Sequence, residues 1–140
     1  DHEAFRVAAG WINARGGYTT LKIPSGEFIV GKQWTGPPAG SCSSCFVDYS
    51  NPFKLTNCIN VLIDGQGGSI IRFENCLKYG RFVMVGGNVH AKVNVNCTNP
   101  TGPFSETAQV GAMFYFENCV TTKIINLQLQ GNLDNIIVGG

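Results

Sequence analysis

The four letters FENC are written at Phe73-Glu74-Asn75-Cys76 and again at Phe116-Glu117-Asn118-Cys119, in a chain of 140 residues. Two looser copies, LTNC at Leu55–Cys58 and VNVNC at Val93–Cys97, share the Asn-Cys ending. The pairs Asn57-Cys58, Asn75-Cys76, Asn96-Cys97 and Asn118-Cys119 therefore follow one another at steps of 18, 21 and 22 residues. Near-regular steps of this length mark a solenoid, in which each supersecondary unit stacks on the next.

The flanks say what the unit is. In FKLTNCINVLIDG, Phe53, Leu55, Val61 and Ile63 alternate with polar residues. In MFYFENCVTTKIINLQLQG, Phe114, Phe116, Ile124, Leu127 and Leu129 oppose Tyr115, Glu117, Lys123, Gln128 and Gln130. A period of two is a strand with one buried face. Asn tolerates the left-handed backbone of a sharp corner, and stacked Asn side chains can bond one another as a ladder. The following Cys then points inward as a small hydrophobe. The expectation is an all-β fold, a parallel β-helix with Asn57, Asn75, Asn96 and Asn118 as ladder corners and Cys58, Cys76, Cys97 and Cys119 stacked behind them. FENC becomes one strand and its corner seen on two coils, with VNVNC on the coil between.

The N-terminus reads differently. Phe5, Ala8, Ala9 and Ile12 recur at helical spacing, so residues 1–15 are expected to form an α-helix that caps the first coil, with Gly16-Gly17 as its stop. Coils are expected over 18–140, as one domain. The chain ends on NIIVGG, which echoes FVMVGG at Phe82–Gly87. Such an apolar strand is expected to be covered, either by further coils of a longer β-helix or by another subunit in a homo-oligomer.

Composition narrows the partners. Ten basic residues oppose nine acidic ones, without a basic run, which argues against nucleic acid. Charged residues are 14% of the chain, against about 25% for an average domain, yet 44% are hydrophobic, so the chain has a core to build. No stretch approaches the roughly 20 apolar residues of a membrane span. The Cys-x-x-C at Cys42 and Cys45 lies in a Pro/Gly/Ser-rich loop and reads as a loop staple or two free thiols; no metal site is expected there, since His2 and His90 are the only histidines.

Residues Glu3–Gly31, EAFRVAAGWINARGGYTTLKIPSGEFIVG, resemble the opening segment of the pectin lyase-like right-handed parallel β-helix superfamily: capping helix, Gly-Gly, strand, Pro-x-Gly turn, strand. NCINVLIDGQG and ENCVTTKIINLQLQG resemble coils of its polygalacturonase- and pectate lyase-like members. The resemblance implies a secreted or cell-surface protein that meets a polysaccharide or oligosaccharide. It implies a glycoside hydrolase or polysaccharide lyase acting on a pectin-like or other acidic glycan. The alternative is a non-catalytic, glycan-binding or self-assembling β-helix module, tailspike- or adhesin-like. The Asn-Thr-Asp, Asp-Asp, His-Gly and Arg-Ile-Lys motifs of the hydrolases do not occur here, nor does the Arg-x-Pro-x-x-Arg stretch of the lyases.

Candidate catalytic residues follow from chemistry. Glycoside hydrolysis needs two carboxylates about 5–9.5 Å apart across one sugar bond. Glu74 and Glu117 are expected at equivalent outward positions, one coil apart on either side of the VNVNC coil, hence roughly 9–10 Å from each other. The competing reading is two solvated repeat positions. His90 and Lys92 share one strand face and could hold an acidic sugar or take a proton; alternatively they are exposed polar residues. Asp64-Gly65 reads as a turn, with calcium, the one cofactor considered, requiring more oxygen ligands. Asn96-Cys97-Thr98 is formally a glycosylation sequon. Two long excursions, 34–51 and 98–112, enter equivalent strands and carry Trp34, Phe46, Tyr49 and Phe104, candidates for stacking on sugars or for pinning their own loops.

Overall fold

The computed structural model describes the backbone of residues 1–31, 51–85, 88–89, 91–93, 105–108 and 112–139, and the side chains of 1–31, 51–77, 112–132 and 134–136. The described chain is mostly strand, with one N-terminal α-helix, α1 (His2–Ala14). The strands are β1 (Gly17–Lys22), β2 (Gly26–Val30), β3 (Phe53–Thr56), β4 (Ile59–Phe73), β5 (Lys78–Val85), β6 (Asn88–Val89), β7 (Ala91–Val93), β8 (Ser105–Ala108), β9 (Phe114–Glu117), β10 (Val120–Gln130) and β11 (Ile137–Gly139). They fall into two compact units. One comprises Asp1–Val30, Asn51–Phe73 and Ala112–Gly131; the other comprises Gly31–Ser50, Glu74–Gly111 and Asn132–Gly140.

The first unit is three passes of chain laid side by side. β4 is central, with β1 and β2 paired to one edge and β10 to the other, all parallel. β3 and β9 form a second parallel pair. The register aligns like with like: Leu21, Ile63 and Ile124 form one inward column, and Phe28 and Ile71 begin another, whose aligned third residue, Leu129, is 48% exposed. Phe53 pairs with Phe114, ring centroids 5.2 Å apart, and Leu55 with Phe116. Phe53, Leu55, Cys58 and Ile63 are wholly excluded from solvent. Burying each large apolar side chain is worth about 1.5–3 kcal/mol, so this central pass carries the unit.

Helix α1 closes the near side, as its spacing predicts: Phe5, Ala9 and Ile12 are buried. Its contribution to the strands is a side chain that periodicity does not reveal. The Asn13 amide donates to the Lys54 carbonyl (2.9 Å) and accepts from the Thr56 N–H (3.0 Å). One side chain thus supplies the donor and acceptor that a neighbouring strand would offer the edge of β3. Asp1 Oδ2 similarly accepts from the Ile29 N–H at 2.7 Å. At the helix exit Gly17 has φ +100, and a Cβ there would drive into the Ile59 backbone, so only glycine fits.

The two FENC copies are not equivalent rungs. Phe116-Glu117 pairs with Leu55-Thr56, and the Asn57 N–H donates to the Glu117 carbonyl, so the second FENC stacks directly on LTNC. No coil lies between them. Val93, the first residue of VNVNC, instead belongs to β7, which runs antiparallel to β11 with Val93 opposite Ile137. Asn96 and Cys97 lie outside the described residues. The first FENC leaves the end of β4: Phe73 pairs with Val30, and Glu74 onward belongs to the second unit.

In the second unit β5 pairs parallel with β11 and antiparallel with β6 and β8. Here Asn75 makes an Asn–Asn side-chain bond, with a partner outside the expected set. Asn132 Nδ2 donates to Asn75 Oδ1 at 2.7 Å, and the Cys76 N–H donates to the Asn135 carbonyl at 2.7 Å. Cys76 is exposed and disulfide-bonded, to a partner outside the described residues, so it is not the inward-stacked thiol the repeat predicts. Cys58 and Cys119, on neighbouring passes, are free thiols as expected.

Candidate functional site

The three parallel strands β1, β4 and β10 present one outer face. Alternation and register set its columns: Tyr18 beside Asn60 and Thr121, Thr20 beside Leu62 and Lys123, Lys22 beside Asp64 and Ile125. A shallow groove of ≈ 630 Å³ runs over the first two columns, lined by Tyr18, Thr20, Asn60, Leu62, Thr121 and Lys123 among others. Among the described residues its lining holds one aromatic ring, one ammonium, hydroxyls and an amide, and no carboxylate.

The first column is conformationally unusual. Tyr18, Asn60 and Thr121 all have left-handed backbones, at φ 51, 54 and 56. Asn accepts this region readily, whereas a bulky or β-branched residue held there costs about 1–2 kcal/mol. Tyr18 is also 68% exposed. No ring contact or hydrogen bond ties its side chain down among the described residues. The third column is settled internally: Asp64 Oδ1 accepts from Gln66 N–H and from Asn126 Nδ2, both at 2.9 Å. The Asn126 amide foremost, then the Gln66 N–H and the Lys22 charge, hold the Asp64 carboxyl below its ordinary pKa. Asp64 thus serves a bend inside β4, where Gln66 and Gly67 take positive φ (52 and 78), rather than the turn between strands that the Asp-Gly pair predicts.

Family models, curated proteins and solved structures were compared with this chain, and none matches.

The sequence-derived candidates separate. Glu117 faces outward and pairs with Lys54 Nζ at 3.7 Å; the same ammonium lies 5.6 Å from the Tyr115 ring centroid. The residue beside Glu117 on the neighbouring pass is Thr56. Glu74 follows the end of β4, the partner of β10, whereas Glu117 lies in β9, so the two carboxylates hold different positions in the pass and are not the matched rungs expected of them. Lys92 lies in β7 with its backbone opposite Val138. His90, Trp34, Phe46, Tyr49, Phe104, Cys42 and Cys45 lie outside the described residues. Among the described residues no three His, Cys, Asp or Glu side chains converge as a metal site would require, and no helix is long and apolar enough to cross a membrane.

Of the ladder residues, Asn57 and Asn118 occupy left-handed corners, at φ 55 and 52, on adjacent passes. Cys58 donates to Asn13 Oδ1 at 3.2 Å, while Cys119 reaches the Leu55 carbonyl at 3.6 Å. Burial first, and then the neighbouring Cys119, pushes the Cys58 thiol pKa up, which keeps it a neutral packing group rather than a nucleophile. The groove residues escape a motif search because Tyr18, Thr20 and Lys123 read as ordinary outward strand positions. Their signal is positional: each left-handed residue stands immediately after Gly17, Ile59 or Val120, the residues that the register aligns.

Proposed function

We propose that this chain is part of a right-handed parallel β-helix protein that acts on a pectin-like or other acidic glycan, as a glycoside hydrolase or polysaccharide lyase. One observation carries the architectural half. Three consecutive strands of one pass, β3, β4 and β5, pair in parallel and in the same order with three consecutive strands of a later pass, β9, β10 and β11. Chain order preserved through successive parallel pairings is what a coil wound on itself produces. Asn-rich corners and an N-terminal helix packed on the edge of β3 support the same reading. The disulfide at Cys76 supports a secreted or cell-surface location, because such bonds persist in oxidising compartments.

A second reading has its own observation. Among the described residues the groove on the outer face offers a ring, an ammonium and hydroxyls, groups that hold a sugar, and not the two carboxylates that glycoside hydrolysis needs. In this reading the chain is a glycan-binding module. Incubation of the natural full-length protein with polygalacturonate and a panel of other acidic glycans distinguishes the two. Release of shorter or unsaturated oligosaccharides supports the enzyme, and binding without product supports the module. Neither binding nor product on any acidic glycan refutes both.

A further inference from the structure

We propose that the outer face of β1, β4 and β10 is a binding platform for an oligosaccharide containing uronic acids, with the Tyr18 ring as its stacking surface and Lys123 as its carboxylate contact. The inference rests on the glycan reading above and adds a site to it.

The first argument is Tyr18 itself. Of three aligned left-handed positions, the middle pass uses Asn60, which suits that backbone, while the first pass uses a tyrosine. A ring held in an unfavourable conformation, 68% exposed and unsupported by other described side chains, does nothing for the core. An exposed flat ring does offer its face to the C–H side of a sugar, at little cost in side-chain freedom.

The second argument is charge. Among the described residues Lys22 and Lys123 are the cations on this face, and Lys22 lies directly opposite Asp64. No described carboxylate pairs with Lys123, the one full charge among the described residues that line the groove. A single unpaired ammonium complements an isolated carboxylate. It does not complement a polyphosphate backbone, which calls for several basic groups. The third argument is spacing. Tyr18 and Lys123 are two strands and two residues apart, a diagonal of roughly 12 Å from ordinary strand geometry, with Thr20, Asn60, Leu62 and Thr121 between or beside them. A span of that size suits a short oligosaccharide rather than one ring, and hydroxyl and amide groups along it match sugar hydroxyls.

The test is a titration of the folded full chain with tri- to hexasaccharides of galacturonic acid and with their methyl esters, followed by calorimetry. Wild type should bind the acid form in preference to the ester. Tyr18→Asn should weaken binding about tenfold with no fall in melting temperature, and Tyr18→Phe should retain binding. Lys123→Gln should remove the preference for acid over ester. If Tyr18→Asn and Lys123→Gln bind as wild type does, the platform is overturned while the glycan reading stands. If Tyr18→Asn lowers the melting temperature along with binding, the ring is structural and the platform is again overturned. If wild type binds neither form, and no other acidic glycan, the glycan reading falls and the platform with it.

Discussion

Phe73–Cys76 and Phe116–Cys119 have the same letters and different backbones. In the second copy Phe116 and Glu117 are strand, Asn118 turns the corner in the left-handed region, and Cys119 is a free thiol. In the first copy the strand ends at Phe73, the left-handed residue is Cys76 at φ 62, and that cysteine is disulfide-bonded. The left-handed position has moved by one residue within an identical tetrapeptide. Four local residues therefore do not choose their own corner. The register of the neighbouring pass chooses it: Leu55-Thr56 beneath the second copy, Asn132 and Asn135 beside the first.

The largest expected contrast comes from the rung beneath. Leu55 is wholly buried and pairs with Phe116, so Leu55→Ala should cost about 3–5 kcal/mol in chemical denaturation. Phe116→Ala, at a position 37% exposed, should cost distinctly less. Equal losses would break the assignment of Leu55 to the core and Phe116 to its margin. Next in size is reduction of the disulfide at Cys76. It should lower stability by about 2–4 kcal/mol, read by melting with and without reductant. Alanine at Cys119, which bears a free thiol, should remove none of this sensitivity to reductant.

Smaller effects sharpen the corner itself. Asn118→Ala places a Cβ-bearing residue without Asn's tolerance at φ 52 and should cost about 1–2 kcal/mol. Asn75→Ala loses its hydrogen bond from Asn132 without that backbone penalty, and should cost about 0.5–1.5 kcal/mol. Thr122 turns a buried hydroxyl with no hydrogen-bond partner towards the column in which the middle pass has Val61. Thr122→Val should therefore stabilise, by about 1 kcal/mol. The smallest effect is at Asp64. Its folded pKa is depressed, so its contribution is present above the ordinary carboxylate pKa of about 3.9 and is lost as pH falls through the lower folded value. Acid titration of wild type against Asp64→Asn should show a slight extra stability loss below about pH 4 in wild type only.

Parts of this were legible in the letters. Phe5, Ala9 and Ile12 announced the capping helix, and alternation through Val120–Gln130 announced a strand with one inward side. The Asn corners at Asn57 and Asn118 were legible because left-handed backbone leaves a compositional mark. Register was not. Phe53 pairs with Phe114 and Ile59 with Val120, 61 positions apart in each case, whereas Gly17 pairs with Ile59, 42 positions apart. Excursions of unequal length separate the passes, so no fixed period in the sequence tracks the stacking. That is why Asn75 was matched to Asn118 when its hydrogen-bond partner is Asn132. The expected carboxylate pair failed for the same reason, since Glu74 and Glu117 were equivalent only if their tetrapeptides were. Asn13 was invisible because its work, completing the edge of β3, depends on where a helix lands rather than on periodicity. Tyr18 was invisible because its oddity is a backbone angle.

The most direct test of the stacking is a nuclear Overhauser measurement on the protein with isotope-labelled Leu methyls and Phe rings. The register places Phe116 beside Leu55, so strong cross-peaks should join the Leu55 methyls to the Phe116 ring, and others should join the Phe53 and Phe114 rings. Cross-peaks from Phe116 to Phe73, with none to Leu55, would mean that the two FENC copies are neighbouring rungs after all, and would contradict the account.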